Sequence, residues 1–207
     1  MIVFGYMWHE CVTLEGRFII LKPLSLEHAP ALLEHFDLEM VQYLSNAPTE
    51  PTLEAMQTYI GSLLSAKDRV NWAIFDRASG KMAGRTGYVR INTKYRSLET
   101  TTWIFTPFQG GYANLESKYL LIRHAFEQLK AVRVQFRADA RNSRSCKAIE
   151  KLGATFEGIL RKDQIYPNGV IRNTAVYSTI DNEWPEVKRG LEARLYAAGI
   201  SDAKTKS

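Results

Sequence analysis

The sequence predicts a mixed, twisted α/β sheet flanked by helices. Three observations carry this. Asn71–Asp76 and Met82–Ile91 frame a Ser79-Gly80 turn, which reads as a hairpin. Leu115, Tyr119, Ile122, Phe126 and Leu129 recur at steps of four and three, the stripe of an amphipathic helix. Strand-like segments stand on both sides of that helix, so hairpins alternate with strand–helix–strand units.

Taken in order, Arg17–Leu21 reads as the first strand, closed by Lys22-Pro23. Ser25 caps a helix carrying Leu26, Leu32, Leu33 and Phe36, and Thr52 caps a second with Met56, Tyr59, Ile60 and Leu63 on one face. After the hairpin, Glu99–Phe105 is a strand rich in β-branched and aromatic residues. Pro107 stops it, and the long helix follows. Ala131–Ala138 is again strand-like. Ser143–Leu152 is a short helix, capped by Asn142 and ended by Gly153. Ala154–Leu160 and Ile171–Ile180 are strands around a Pro167-Asn168-Gly169 turn, and a last helix runs from about Trp184 to Tyr196. Seven strands result.

The chain has 207 residues, 45% of them hydrophobic and 24% charged, the composition of one globular domain. Its net charge of +5 favours anionic ligands, but no Lys/Arg run forms a nucleic-acid stripe, so no nucleic-acid partner is expected. Cys11 and Cys146 lie far apart, without zinc spacing, and read as reduced thiols of a cytoplasmic protein with no metal. No apolar run reaches spanning length, so no membrane partner is expected. Residues 1–12 read as an extension, either an added strand, an arm or an alternative start. Residues 13–198 form the domain, and 199–207 a flexible tail.

The most informative region is Trp103–Gly153. A strand ends at Phe105, and Gln109-Gly110-Gly111-Tyr112-Ala113-Asn114 then leads into the long helix. A glycine-rich turn at a helix N-terminus aims several backbone N–H groups at one point and suits a pyrophosphate, although many such turns are purely structural. Next come Asn142-Ser143-Arg144-Ser145, then Ala148-Ile149-Glu150-Lys151-Leu152-Gly153-Ala154, then Phe156-Glu157-Gly158-Ile159-Leu160-Arg161.

In this order and spacing these segments resemble the GNAT N-acetyltransferases, within them the branch that acetylates ribosomal-protein N-termini and its small-molecule relatives. Leu14-Glu15-Gly16-Arg17 matches as well, and the resemblance covers roughly Thr13–Trp184. It implies the GNAT fold, a mostly antiparallel sheet of six to seven strands that splays between its fourth strand, Glu99–Phe105, and its fifth, Ala131–Ala138. The pantetheine arm of acetyl-CoA would lie in that cleft and pair with backbone near Ile104 and Phe105. The pyrophosphate would sit on Gln109–Asn114, with Asn142 and Ser145 beside the thioester. Arg141, Arg144 and Lys147 are within reach of phosphates, and each also fits a solvated basic helix face. One departure stands out. Counted from Gln109, Tyr112 and Asn114 occupy positions where the family pattern has glycine and Gly/Ala, and a Cβ at the first would crowd a pyrophosphate; sliding by one residue restores Gly111 and Ala113 but moves Gln109 out of place.

The implied activity is transfer of acetyl from acetyl-CoA to a primary amine, on a protein N-terminus or a small molecule, by direct attack in a ternary complex. Ser145 is the candidate acid, or simply a first-turn helix residue. Glu157 and, second, Glu99 are the candidate bases, and either also fits an exposed strand carboxylate. A module that holds acyl-CoA without turnover is the alternative. An edge strand near the C-terminus would let two copies pair as a homodimer.

Overall fold

Val70–Asp76 (β3) and Met82–Asn92 (β4) pair antiparallel, as the Ser79-Gly80 turn predicts. Asp76 fixes that turn in the computed structural model, accepting from the N–H and hydroxyl of Ser79 at 2.8 and 2.6 Å. The structure describes residues 7–44, 47–48, 50–166 and 168–205. Around the hairpin stand Leu14–Glu15 (β1), Ile19–Pro23 (β2), Ser97–Ile104 (β5), Arg133–Asp139 (β6), Thr155–Ile165 (β7) and Ile171–Ile180 (β8). They form one sheet in the order β1-β2-β3-β4-β5-β6-β8-β7. The sheet has eight strands rather than six to seven, because β1 has two residues, too few to show an alternating pattern.

Every pairing is antiparallel except β5 with β6. That parallel contact covers only Ser97 with Arg133, Leu98 with Val134 and Glu99 with Gln135. Beyond Glu99 the two strands part. Thr100–Ile104 keeps β4 on one side and leaves its other edge unpaired with β6. The splay expected between these two strands is therefore present. At Gly84, φ is +151° and a Cβ would stand 2.2 Å from the Trp103 carbonyl oxygen, so only glycine lets β4 run this close to β5.

Two apolar layers cover the sheet. On one face Tyr112–Glu127 (α4) and Trp184–Thr205 (α6) pack over Trp72, Tyr88, Val134 and Phe136. On the other, Ala29–Glu34 (α1) and Leu53–Ser65 (α3) pack over Ala73, Trp103 and Phe105, with the short Leu38–Val41 (α2) between them in sequence. Thr52 caps α3 by accepting from Ala55 N–H at 3.1 Å, and the predicted face of Met56, Tyr59, Ile60 and Leu63 is buried. The helix expected after Ser25 begins as a 3-10 turn, Leu26–His28, because the His28 ring accepts the Ser25 N–H at 2.9 Å.

Trp8 is buried in the core, and Trp72 Nε1 donates to the Val12 carbonyl at 2.7 Å, so this segment packs against the sheet. Residues 1–6 lie outside the described residues. α6 continues to Thr205, past the Tyr196 end and through most of the tail expected at 199–207, of which 206–207 lie outside the described residues. Pro167 of the predicted turn also lies outside them; Gly169 N–H closes the turn on Tyr166 O at 2.8 Å. Among the described residues no helix is long and apolar enough to cross a membrane.

Candidate active site

Where β5 leaves β6 the sheet opens into a cavity of about 1020 Å³. One half is lined by the open edge of β5, the start of α4 and the first turn of Ser143–Glu150 (α5). The other half is lined by β4, β5, β6 and β8 and carries several arginines: Arg69, Arg85, Arg90, Arg137 and Arg172.

Gly110 has φ +77°, a left-handed turn that aims the chain into α4, and Gly111 is the N-cap. No Cβ at either would meet a neighbour, so the loop is open on its outer side. The first-turn N–H groups of α4 have no intrahelical acceptor, as in any helix, and an anion placed there is favoured by both hydrogen bonds and dipole. Gln109, Gly110, Gly111 and Asn114 line the cavity. Tyr112 does not crowd it. Its ring stacks on Phe18 at 4.6 Å, and its hydroxyl donates to Asp76 Oδ1 at 2.6 Å, on the side of α4 away from the opening. Ala113 is buried in the core behind it.

The same helix is pinned one turn later. Buried Glu116 accepts the backbone N–H groups of Arg17, Phe18 and Ile19 at 2.7, 2.8 and 2.8 Å. Tyr112 and Glu116 thus hold one face of α4 to the β1–β2 turn, while Asn114, Leu115 and Lys118 face the cavity.

Ile104 lines the cavity, and its carbonyl accepts Gln109 Nε2 at 3.1 Å. Phe105 differs from expectation. Its N–H donates to Ala83 O at 2.9 Å and its side chain is fully buried under α1 and α3, outside the lining. The unpaired edge therefore ends at Ile104.

At α5, the Asn142 side chain accepts Ser145 N–H at 3.0 Å, the cap read from the sequence. Asp139 sets the approach. Its buried carboxylate accepts from Arg141 N–H, Nε and Nη2 and from the Tyr166 hydroxyl, and Arg141 above all holds its pKa below the ordinary range. Arg141 is thereby held at Asp139 and stands outside the cavity lining. Asn142, Ser145 and Lys147 line the cavity, and so does Arg144, whose Nη1 donates to Gln109 Oε1 at 2.5 Å across the opening.

The two candidate carboxylates have opposite surroundings. Glu157 is gripped by both terminal nitrogens of Arg133 at 2.6 and 2.5 Å and by the Ser178 hydroxyl at 2.8 Å. These partners, Arg133 first, lower its pKa, and it lies outside the cavity lining. Glu99 lines the cavity at the point where the strands part, with its side chain 13% exposed and 3.1 Å from Arg90 Nε. Burial raises its pKa, partly offset by Arg137, Arg90, Arg172 and Lys118. A carboxylate with a raised pKa in a cleft is the environment of a general base.

Lys118 was missed by periodicity, which counted the apolar positions around it. It is 8% exposed, and its Nζ donates to Thr100 Oγ1 at 2.8 Å on the cavity wall. Burial lowers its pKa from 10.5 to about 7, against the attraction of Glu99. Between about 7 and 10.5 the unfolded chain therefore binds more protons than the folded one, and this group makes stability rise with pH across that window. Lys118→Met should stabilise the protein at pH 6 by about 2–4 kcal/mol, and the gain should shrink toward pH 10. Thermal unfolding at both pH values checks this; an equal effect at the two would contradict it.

The family model described as an acetyltransferase (GNAT) domain matches residues 19–155. A curated Bacillus subtilis (strain 168) protein named "Putative ribosomal N-acetyltransferase YdaF" is 30% identical over 105 residues, 51% of this chain and 57% of that protein. The match thus spans little more than half the length of that relative. A solved T. thermophilus structure, titled as that of a "putative acetyltransferase", is 48% identical, covering 91% of this chain and 100% of that one, with a TM-score of 0.87. A GCN5-related N-acetyltransferase from Brucella melitensis is 27% identical, covering 89% of this chain and 85% of that one, with a TM-score of 0.83.

Proposed function

The chain belongs to the acetyltransferase (GNAT) family, and on that premise we propose that it moves the acetyl group of acetyl-CoA to a primary amine, by direct attack in a ternary complex. The observation that carries the reading is the juxtaposition made by the splay. The open edge of β5, the glycine start of α4 and the capped start of α5 line one cavity with a largely buried carboxylate, Glu99.

Acetyl-CoA fits these groups chemically. Its pantetheine amides match the N–H and C=O groups of the strand edge that β6 leaves unpaired, where Gln109 holds the Ile104 carbonyl, as in strand addition. Its phosphates match the N-terminus of α4 between Gln109 and Asn114, with Lys147 and Arg144 as cations on the same wall. Tyr112 and Ala113 contribute backbone there, while their side chains point into the core. Asn142 and Ser145 stand beside the thioester in this arrangement.

The acceptor amine arrives protonated at neutral pH, since its pKa is ~8 for an α-amino group and ~10.4 for a lysine. Glu99 is the base that takes the proton. Glu157 is set aside because Arg133 and Ser178 occupy it. A β5 backbone N–H holds the developing oxyanion, and the Ser145 hydroxyl returns a proton to the departing thiolate. Orientation in the cleft supplies much of the remaining rate. A module without turnover would be favoured by a side chain crowding the phosphate loop and by the want of a clear base. With Tyr112 turned to Phe18 and Glu99 in the cavity, turnover is the better reading. Its test is titration with acetyl-CoA, followed by release of free CoA thiol when an amine is added.

A further inference from the structure

Arg85 sits on β4 directly opposite Trp103 of β5, and both line the arginine-rich half of the cavity. Arg85 is 4% exposed. The other arginines of that wall have polar or acidic neighbours: Arg137 pairs with Asp163, Arg90 with Glu99 at 3.1 Å and Arg69 with Asp68 at 3.7 Å, while Arg172 donates to Gln164 at 3.3 Å. Among the described residues Arg85 has no carboxylate within ion-pair distance, and its Nε and Nη1 have no hydrogen-bond partner. Its guanidinium lies over the Tyr59 ring at 5.2 Å. That contact offsets only part of the cost of burying a charge. Trp103 Nε1, in the same cluster of rings, is also buried without a partner, and the Tyr59 hydroxyl, which lies beside Arg85, meets no group in good hydrogen-bond geometry. All of these groups can donate, and a buried cation surrounded by unmet donors matches an anion.

The same face of β5 carries Glu99. Trp103, Thr101 and Glu99 alternate along it, opposite Arg85, Gly87 and Val89 of β4. At ~3.3 Å per residue, the Arg85 position and the Glu99 position stand about 13 Å apart along the strand. The cavity therefore presents a carboxylate base at one point and an uncompensated guanidinium at another.

We propose that the acceptor is a small amine that also carries an anionic group, a carboxylate or a phosphate, and that Arg85 binds this group while the amine meets Glu99. This rests on the acetyl-transfer reading above and adds the substrate class to it. An anion against Arg85 supplies the counter-charge that the protein itself lacks there, and binding is selective because a neutral acceptor leaves the guanidinium buried and unpaired. The acceptor's two groups are separated by a chain, so an ω-amino acid fits better than an α-amino acid.

The test uses free-thiol release from acetyl-CoA with matched acceptors. Glycine, 4-aminobutyrate and 6-aminohexanoate are compared with their amides, and aminoalkyl phosphates with the corresponding amino alcohols. The expected result is kcat/KM at least tenfold higher for the anionic member of the longer pairs. The carboxylate and phosphate arms tell which anion is preferred. Arg85→Gln should abolish that preference, lowering kcat/KM for the anionic members at least tenfold toward that of their neutral partners, while Arg85→Lys should retain part of it. Equal or better use of the neutral members by the wild-type protein overturns the proposal, whatever the variants do. Acetyl-CoA binding is measured in parallel. If acetyl-CoA binds and amines are acetylated without charge preference, only the substrate class fails; if acetyl-CoA does not bind, the acetyl-transfer reading fails with it.

Discussion

Glu99→Gln is expected to lower kcat for acetyl transfer about 10²–10⁴-fold at neutral pH, the usual contribution of a positioned general base. Acetyl-CoA affinity should change little, because the loop and α5 that would meet the cofactor lie toward the other end of β5. The sign of the pH dependence follows from burial. Glu99 has a pKa raised above its ordinary value, so the wild-type rate should fall as pH drops through that raised value and the base becomes protonated. Glutamine has no such limb. At high pH the amine arrives already neutral, and the deficit of the variant should shrink. A full pH profile of kcat and kcat/KM for both proteins reads this directly. Wild-type rates for Glu99→Gln across the range would remove Glu99 from the mechanism. Glu157→Gln should instead leave the rate almost unchanged, since that carboxylate is bound to Arg133 and Ser178 outside the cavity.

Glu116→Ala is expected to cost about 3–5 kcal/mol of stability, because three successive backbone N–H groups lose a charged acceptor and two lie in part-buried positions. For a chain of this size that is a fall in melting temperature on the order of 10 °C. Glutamine at this position keeps one acceptor oxygen and should lose less. Gly16→Ala attacks the same contact from the other side. A Cβ on Gly16 would stand 2.5 Å from the Glu116 Cδ, and the carboxylate cannot withdraw without releasing Arg17–Ile19. Both variants should also loosen the start of α4, since Glu116 and Tyr112 are its anchors to the β1–β2 turn and to Asp76. A melting temperature unchanged by Glu116→Ala would show that this anchor carries no stability.

The elements that local sequence determines were legible. The Ser79-Gly80 hairpin, the Asn142 cap and the Gly153 stop, which has φ +87°, each depend on neighbours a few residues away. Long-range partners were not. Spacing cannot distinguish Glu99 from Glu157, because the difference is made by Arg133 arriving on another strand and by the face each strand turns to the cavity. Tyr112 looked obstructive when counted along the loop, and only the presence of Phe18 and Asp76 explains where its ring goes. Lys118 and Glu116 sit inside a helical stripe whose apolar members drew attention, although a charged residue at a buried position is the stronger signal of a specific partner. The Leu14-Glu15-Gly16-Arg17 segment was legible as a pattern, and the Glu116 contact gives its glycine a physical reason.

Calorimetric titration of the protein with acetyl-CoA and with free CoA tests the central claim most directly. The open β5 edge and the glycine start of α4 predict micromolar binding of both, followed by thiol release from acetyl-CoA once an amine is supplied. No binding at millimolar ligand would mean that the splay between β5 and β6 is structural only, and it would contradict the acetyl-transfer account.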